Sequence, residues 1–311
     1  MKRYYAWLVV CLICLLVGGC GKQEKMEQQK GQESEITGYD FEKYESLEDI
    51  LSIEKVQLEE QGAQYVTSYC FTYQSGEEQI VGYIAIPNQC VEEKKPYPVI
   101  VFNRGGNQDY GALQEQEIAY YSYQLNSIVI GSQYRGTTGC TGKDEYGGED
   151  VQDVIKLLDL CEKFEFADMK NLCMMGSSRG GMMSYMAARQ DERVKRLVII
   201  SGLTDLTKAY EERGDMAKLL EELIGGTPEE LPEEYKKRSA VCWADEIDIP
   251  VLMFHSRGDV RVPFTEAQAM ADALETAGAE YSFVIYEDDV HGVREEEFPV
   301  IRKWLSGEEI P

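Results

Sequence analysis

The chain has 311 residues, 43% hydrophobic, 28% charged and 10% aromatic. That composition excludes a disordered, collagenous or low-complexity chain and suffices for one large α/β domain. A formal net charge of −25, without a cluster of Lys and Arg, excludes nucleic acid as a partner.

Lys2 and Arg3 precede an apolar run, Ala6 to Val17, that is shorter than the roughly 20 residues needed to span a bilayer. Residues 1–19 therefore read as a signal peptide. Val17-Gly18-Gly19-Cys20 resembles a bacterial lipobox, which makes Cys20 a lipidated N-terminus and places the protein outside the cytoplasm, anchored to the membrane. Residues 20–45 read as a flexible tether, polar and charged over 21–38, ahead of a domain at 46–311. Of nine cysteines, six lie beyond the signal, and none combines with a histidine at metal-ligand spacing, so no metal or cofactor is expected. Cys161 and Cys173 fall in apolar surroundings and read as buried thiols.

Leu47, Ile50, Leu51 and Leu58 recur at helical spacing and predict a short leading helix over 46–60. Two alternating runs, 65–73 and 79–86, flank Ser75-Gly76 and predict an antiparallel hairpin. Short continuous apolar runs follow at 99–102, 127–130, 172–175, 196–200, 251–255 and 282–286, as expected of strands buried on both faces. Helical patterns lie between them: Val151, Val154, Ile155 and Leu158 behind Glu149-Asp150; a helix opened by Pro263 and closed by Gly278; and Phe298, Ile301 and Trp304 at the end. This alternation predicts an α/β fold, a mostly parallel sheet covered on both faces. Residues 203–247, acidic and helical around Gly225-Gly226-Thr227-Pro228, interrupt it as a cap-like insertion.

Gly176-Ser177-Ser178-Arg179-Gly180 is a G-x-S-x-G motif between an apolar strand and a helical pattern. There the serine sits on a strained turn, and the amide of Arg179 faces a developing oxyanion from a helix N-terminus. A serine needs a base, and the base an orienting carboxylate, in the chain order Ser, acid, His for this kind of elbow. Only His255 and His291 are available. His291 follows the last strand as its own loop residue and is the expected base; His255 ends a strand and is the expected structural histidine. Asp259 is the expected acid, with Asp205, Asp288 and Asp289 as rivals that also read as a helix cap and a solvated loop. Gly105 and Gly106, after the first parallel strand, are candidates for the second oxyanion amide.

GSSRGG around Ser178, QYRGTTG at 133–139, GGEDVQDV at 147–154, YKKRSAV at 235–241, HSRGDVRVP at 255–263 and the terminal VHG resemble, in order, the catalytic domain of the prolyl oligopeptidase family. The resemblance covers roughly 65–305 and implies an α/β-hydrolase fold. It also implies Ser178 as nucleophile, Asp259 as acid, His291 as base, and Arg179 with Gly105 or Gly106 as oxyanion donors. Arg104 stands where several members carry a tyrosine donor, Asp289-Val290 replaces the usual Glu-Gly type before the base, and the stretch ahead of the first parallel strand is too short for a propeller. The expected activity is a serine peptidase acting on short peptides. The alternatives are a carboxylesterase or deacetylase with a small ester substrate, and a catalytically inactive binding lipoprotein. A free peptide amino terminus would need paired acids near the site, for which the glutamates of 211–234 are candidates.

Overall fold

The computed structural model describes residues 39–59, 62, 64–308 and 310. The predicted signal peptide, Cys20 and the tether up to residue 38 lie outside the described residues. The remaining end of the predicted tether is no tether. Tyr39, Phe41 and Tyr44 are aromatic, and Phe41 is fully buried against Tyr69, Phe71, Phe164 and Phe166. A 3-10 turn, Glu42–Ser46, follows directly. Burying a Phe side chain contributes about 1.5–3 kcal/mol, enough to bind this segment to the domain.

The predicted leading helix is replaced by strand β1 (Ile50–Lys55). Its register against β2 (Val66–Ser75) shifts between Ile50 and Ser52, so that two residues of β1 oppose one of β2. This bulge turns both Ile50 and Ile53 inward, and the resulting spacing of three imitates a helix. β2 and β3 (Glu78–Pro87) form the expected hairpin, paired from Val66↔Pro87 to Ser75↔Glu78.

Among the described residues one nine-stranded sheet results, adding β4 (Tyr97–Asn103), β5 (Ile128–Ser132), β6 (Ala167–Ser177), β7 (Arg196–Ile200), β8 (Val251–Ser256) and β9 (Tyr281–Tyr286). The order is β1-β2-β3-β5-β4-β6-β7-β8-β9, antiparallel from β1 to β5 and parallel from β5 to β9. Alternate side chains feed two cores. Val99, Val101, Met174, Leu197, Ile199, Val251 and Met253 face one. Ile100, Phe102, Cys173, Met175, Val198, Ile200, Leu252 and Phe254 face the other. That is why the parallel strands read as unbroken apolar runs.

A short helix α1 (Gln89–Glu93) precedes β4. Helices α3 (Asp150–Cys161), α4 (Arg179–Gln190) and α8 (Phe264–Ala277) cover the first face, while α2 (Glu115–Leu125) and α9 (Glu297–Leu305) cover the second. This is the expected α/β-hydrolase architecture. The insertion after β7 consists of α5 (Leu206–Glu212), α6 (Gly214–Ile224), α7 (Pro232–Lys237) and a 3-10 turn, Ala240–Glu246. Cys161 and Cys173 are buried, and the six described cysteines are free thiols.

Candidate active site

Ser178 occupies the turn between β6 and α4 with φ 57° and ψ −123°. Such a conformation costs on the order of 1–3 kcal/mol for a non-glycine residue and persists only where its surroundings hold it. Here the Ser178 amide donates to Ile200 O of β7 at 3.0 Å, and Ser178 O accepts from Gly181 and Leu203 at 3.0 and 3.1 Å. Gly180 makes the turn possible: a Cβ there would lie 1.8 Å from Asn103 O.

Asp259 follows β8 and is 5% exposed. Its Oδ1 accepts from the amides of Arg261 and Val262 at 2.8 and 3.1 Å, and its Oδ2 accepts from His291 Nδ1 at 2.7 Å. Burial alone would raise this carboxyl, but the His291 bond, the imidazole's charge and the two amides outweigh it and hold it below the usual carboxylate range. His291 is delivered by the loop after β9. That loop is tied to the β8 loop by Gly258 N to Asp288 O at 2.7 Å and Ser256 Oγ to Val290 O at 2.7 Å.

The other candidates separate cleanly. His255 donates from Nε2 to Val262 O at 2.8 Å and stands 3.6 Å from Asp259. Burial lowers its pKa and favours the neutral ring. Asp205 caps α5 by accepting from Lys208 N at 3.1 Å, Asp288 pairs with Arg294, and Asp289 is exposed. None of the three bonds to His291 among the described residues.

Ser178 and His291 line one cleft of about 770 Å³, although no hydrogen bond joins them. Catalytic hydrogen bonds are often loose before substrate binds. The Arg179 amide opens α4 and has no intrahelical acceptor. Gly105 lies against the nucleophile, where an added Cβ would come within 3.2 Å of Ser178 Cβ. Gly106 is instead a turn residue at φ 70°, with its carbonyl accepting from Arg179 Nη1 at 3.2 Å. Gly105 is thus the better placed of the pair. Among the described residues, no cluster of His, Cys, Asp or Glu is arranged to hold a metal ion.

Sequence reasoning did not single out the buried charges beneath this elbow. The Arg179 guanidinium is fully buried between Asp144 and Asp150, with both Asp144 contacts at 2.7 Å. Asp144 also accepts from Gln108 N at 2.8 Å. Arg179 thus holds the Gly106 carbonyl directly and the Gln108 amide through Asp144, while its own amide opens α4 beside Ser178. Arg104 is buried as well, bonded to the carbonyls of Gly105, Gln108, Tyr110 and Gln133 and to Thr137 Oγ1. In sequence Asp144 and Asp150 were two acids among 56, with nothing to mark them as partners of Arg179.

The candidate glutamates for binding a peptide amino terminus lie outside the cleft. Of residues 211–234 only Arg213, Asp215, Met216 and Leu219 line it. None of the glutamates of 211–234 lines it, and three are engaged elsewhere: Glu221 with Tyr210, Glu230 with Thr227, and Glu234 with Lys237 and Arg238.

The chain is similar to known proteins. The "Uncharacterized peptidase YtmA" of Bacillus subtilis (strain 168) is 28% identical over 213 residues, 68% of this chain and 81% of that protein. A "Dipeptidyl-peptidase 5" of Porphyromonas gingivalis is 25% identical over 221 residues, 65% of this chain and 31% of that protein. The solved Pyrococcus horikoshii acylaminoacyl peptidase superposes with a TM-score of 0.68 at 21% identity, over 81% of this chain and 44% of that one. The chain thus spans less than half the length of the latter two. The Peptidase_S9 model, described as the prolyl oligopeptidase family, matches residues 114–305. More than half of the chain is covered by that match, and the chain belongs to the prolyl oligopeptidase family of serine peptidases.

Proposed function

We propose that the protein is an extracytoplasmic serine peptidase, held at the bacterial cell membrane through a lipid on Cys20, that cleaves short peptides by way of an acyl-enzyme on Ser178. The observation that carries this reading is the 2.7 Å contact between His291 Nδ1 and Asp259, in the same cleft as the strained serine.

A carboxylate that accepts from Nδ1–H leaves Nε2 unprotonated and free to act as a base. Ser178 Oγ attacks the scissile carbonyl carbon while its proton moves to His291 Nε2. The carbonyl oxygen becomes an oxyanion facing the Arg179 and Gly105 amides. Collapse breaks the C–N bond, and His291 returns the proton to the leaving amine. Water then repeats the sequence on the acyl-enzyme and frees Ser178. Asp259 stays ionised throughout and stabilises the imidazolium between the two proton transfers.

The test is labelling with a fluorophosphonate followed by turnover of peptidyl amides and p-nitrophenyl esters. Ser178 labels in the wild type, and Ser178→Ala abolishes labelling and lowers turnover by about four to six orders of magnitude. Labelling at another serine overturns the nucleophile, and turnover of esters with no amide cleaved overturns the peptidase in favour of a carboxylesterase.

A further inference from the structure

The chain carries 56 acidic residues against 31 basic ones. The cleft reverses that balance. Arg104, Arg213 and Arg261 line it, opposed only by Glu117 and Asp215 among the Asp and Glu residues lining it. Arg104 sits buried, and its guanidinium donates to carbonyls and a hydroxyl rather than to a carboxylate. Among the described residues no carboxylate hydrogen-bonds to it, although the nearby Asp144 favours its charge. Glu117 is engaged by the Tyr121 hydroxyl at 2.8 Å.

Arg213, at the joint between α5 and α6, donates from Nη1 to Arg261 O and from Nη2 to Asp215. Arg261 donates from Nη1 to the Tyr110 hydroxyl. Each guanidinium keeps its Nε–H and further N–H groups for another acceptor. Two such forks joined at the rim of a cleft match a carboxylate, which arginine binds with two parallel hydrogen bonds.

We propose that Arg213 and Arg261 form a carboxylate receptor, and that the preferred ligands are peptides bearing an anionic group at one end rather than a free amino terminus. The proposal takes from the peptidase reading only the location of the substrate. The carboxylate could belong to the acyl portion or to the C-terminus of the peptide, and the test distinguishes the two.

Binding is measured by calorimetry on Ser178→Ala, so that no turnover is required. The ligands are one N-acetyl dipeptide amide, the same peptide with an N-succinyl group, the same peptide as a C-terminal free acid, and the same peptide amide with a free amino terminus. One anionic ligand binds roughly tenfold more tightly than the neutral one, as a charge-assisted pair allows, and its identity reports which end is held. The preference shrinks as salt is raised. Arg213→Gln and Arg261→Gln each remove most of it, with Arg213→Lys retaining part. Equal or tighter binding of the neutral or amino-terminal ligand overturns the proposal, as does a preference that survives both glutamine variants. Fluorophosphonate labelling of the wild type, run in parallel, tests the peptidase reading separately. Absent labelling with the anionic preference intact removes the enzyme and keeps the receptor.

Discussion

Two imidazoles flank one carboxylate, and their surroundings assign them different work. His291 reaches Asp259 at 2.7 Å and is partly open to the cleft. His255 is buried and spends its N–H on Val262 O. His291→Ala is expected to lower kcat nearly as far as Ser178→Ala, with the double variant little worse, because the residues act as a unit. His255→Ala is expected to cost about 1–3 kcal/mol in urea unfolding through the orphaned Val262 carbonyl and the lost packing. A folded His255→Ala protein without turnover, beside an active His291→Ala protein, reverses the assignment. Arg179→Met leaves Asp144 and Asp150 buried without their cation, an expected loss of about 3–5 kcal/mol in unfolding experiments. The amide of residue 179 survives that change, so fluorophosphonate labelling slows without disappearing. Ser178, Asp259 and His291 stood out as candidates in the sequence because the roles proposed for them require a fixed chain order next to strand ends. The Arg179 cluster was not, because an ion pair between residues about 30 apart leaves no periodic trace.

At the scale of elements, legibility followed burial. The parallel strands are buried on both faces, and composition alone marks such runs. Helix α2 has no counterpart among the predicted elements. Its sequence, EQEIAYYSYQL, presents three tyrosines whose burial differs, Tyr121 inside and Tyr120 and Tyr123 exposed. A tyrosine gives no face to a pattern until the fold has chosen one. β1 failed for the opposite reason, since its bulge produced a clear but misleading period. Phe41→Ala is expected to destabilise the domain by about 3–5 kcal/mol, seen as a lowered Tm, because it empties a site closed on several sides by rings. A value near zero would return residues 39–45 to the tether. Glu266, in the first turn of α8, accepts from the amides of Thr204 and Asp205 and joins α8 to the root of the insertion. Burial raises its carboxyl to about 7. The folded value lies above the unfolded one, so the contribution of the protonated acid is complete below about pH 4.3 and is lost as pH rises towards 7. Glu266→Gln keeps the acceptor and removes the titration. Stability measured by urea unfolding from pH 4.5 to 7.5 is therefore expected to fall less steeply in the variant, by about 3 kcal/mol across the window.

On the scale of the whole molecule, the acidic surface and the proposed anchor act together. An excess of 25 negative charges keeps the domain off an anionic lipid surface unless something covalent holds it there. Cys20→Ala is accordingly expected to move the protein from the membrane fraction to the soluble one, or to leave an uncleaved precursor. An unmodified N-terminus other than Cys20, found by mass spectrometry, would remove the anchor from the proposal.

The sheet order has a consequence for how such a molecule can be rebuilt. β7 lies between β6, which delivers Ser178, and β8, which delivers Asp259. The chain leaves β7 at Ile200, beside Ser178, and re-enters the sheet at Val251, on the opposite edge, because β7 and β8 run parallel. The segment between contributes Leu203, Arg213, Asp215, Met216 and Leu219 to the cleft and none of the proposed triad. Much of that segment is tied to the rest of the domain: Tyr235, Ala240, Trp243 and Ala244 belong to the core, and Arg238 donates to the carbonyls of Glu145 and Tyr146. Exchanging only the cleft-facing Asp215, Met216 and Leu219 of α6 would change which substrates enter while leaving those anchors and the proposed triad in place.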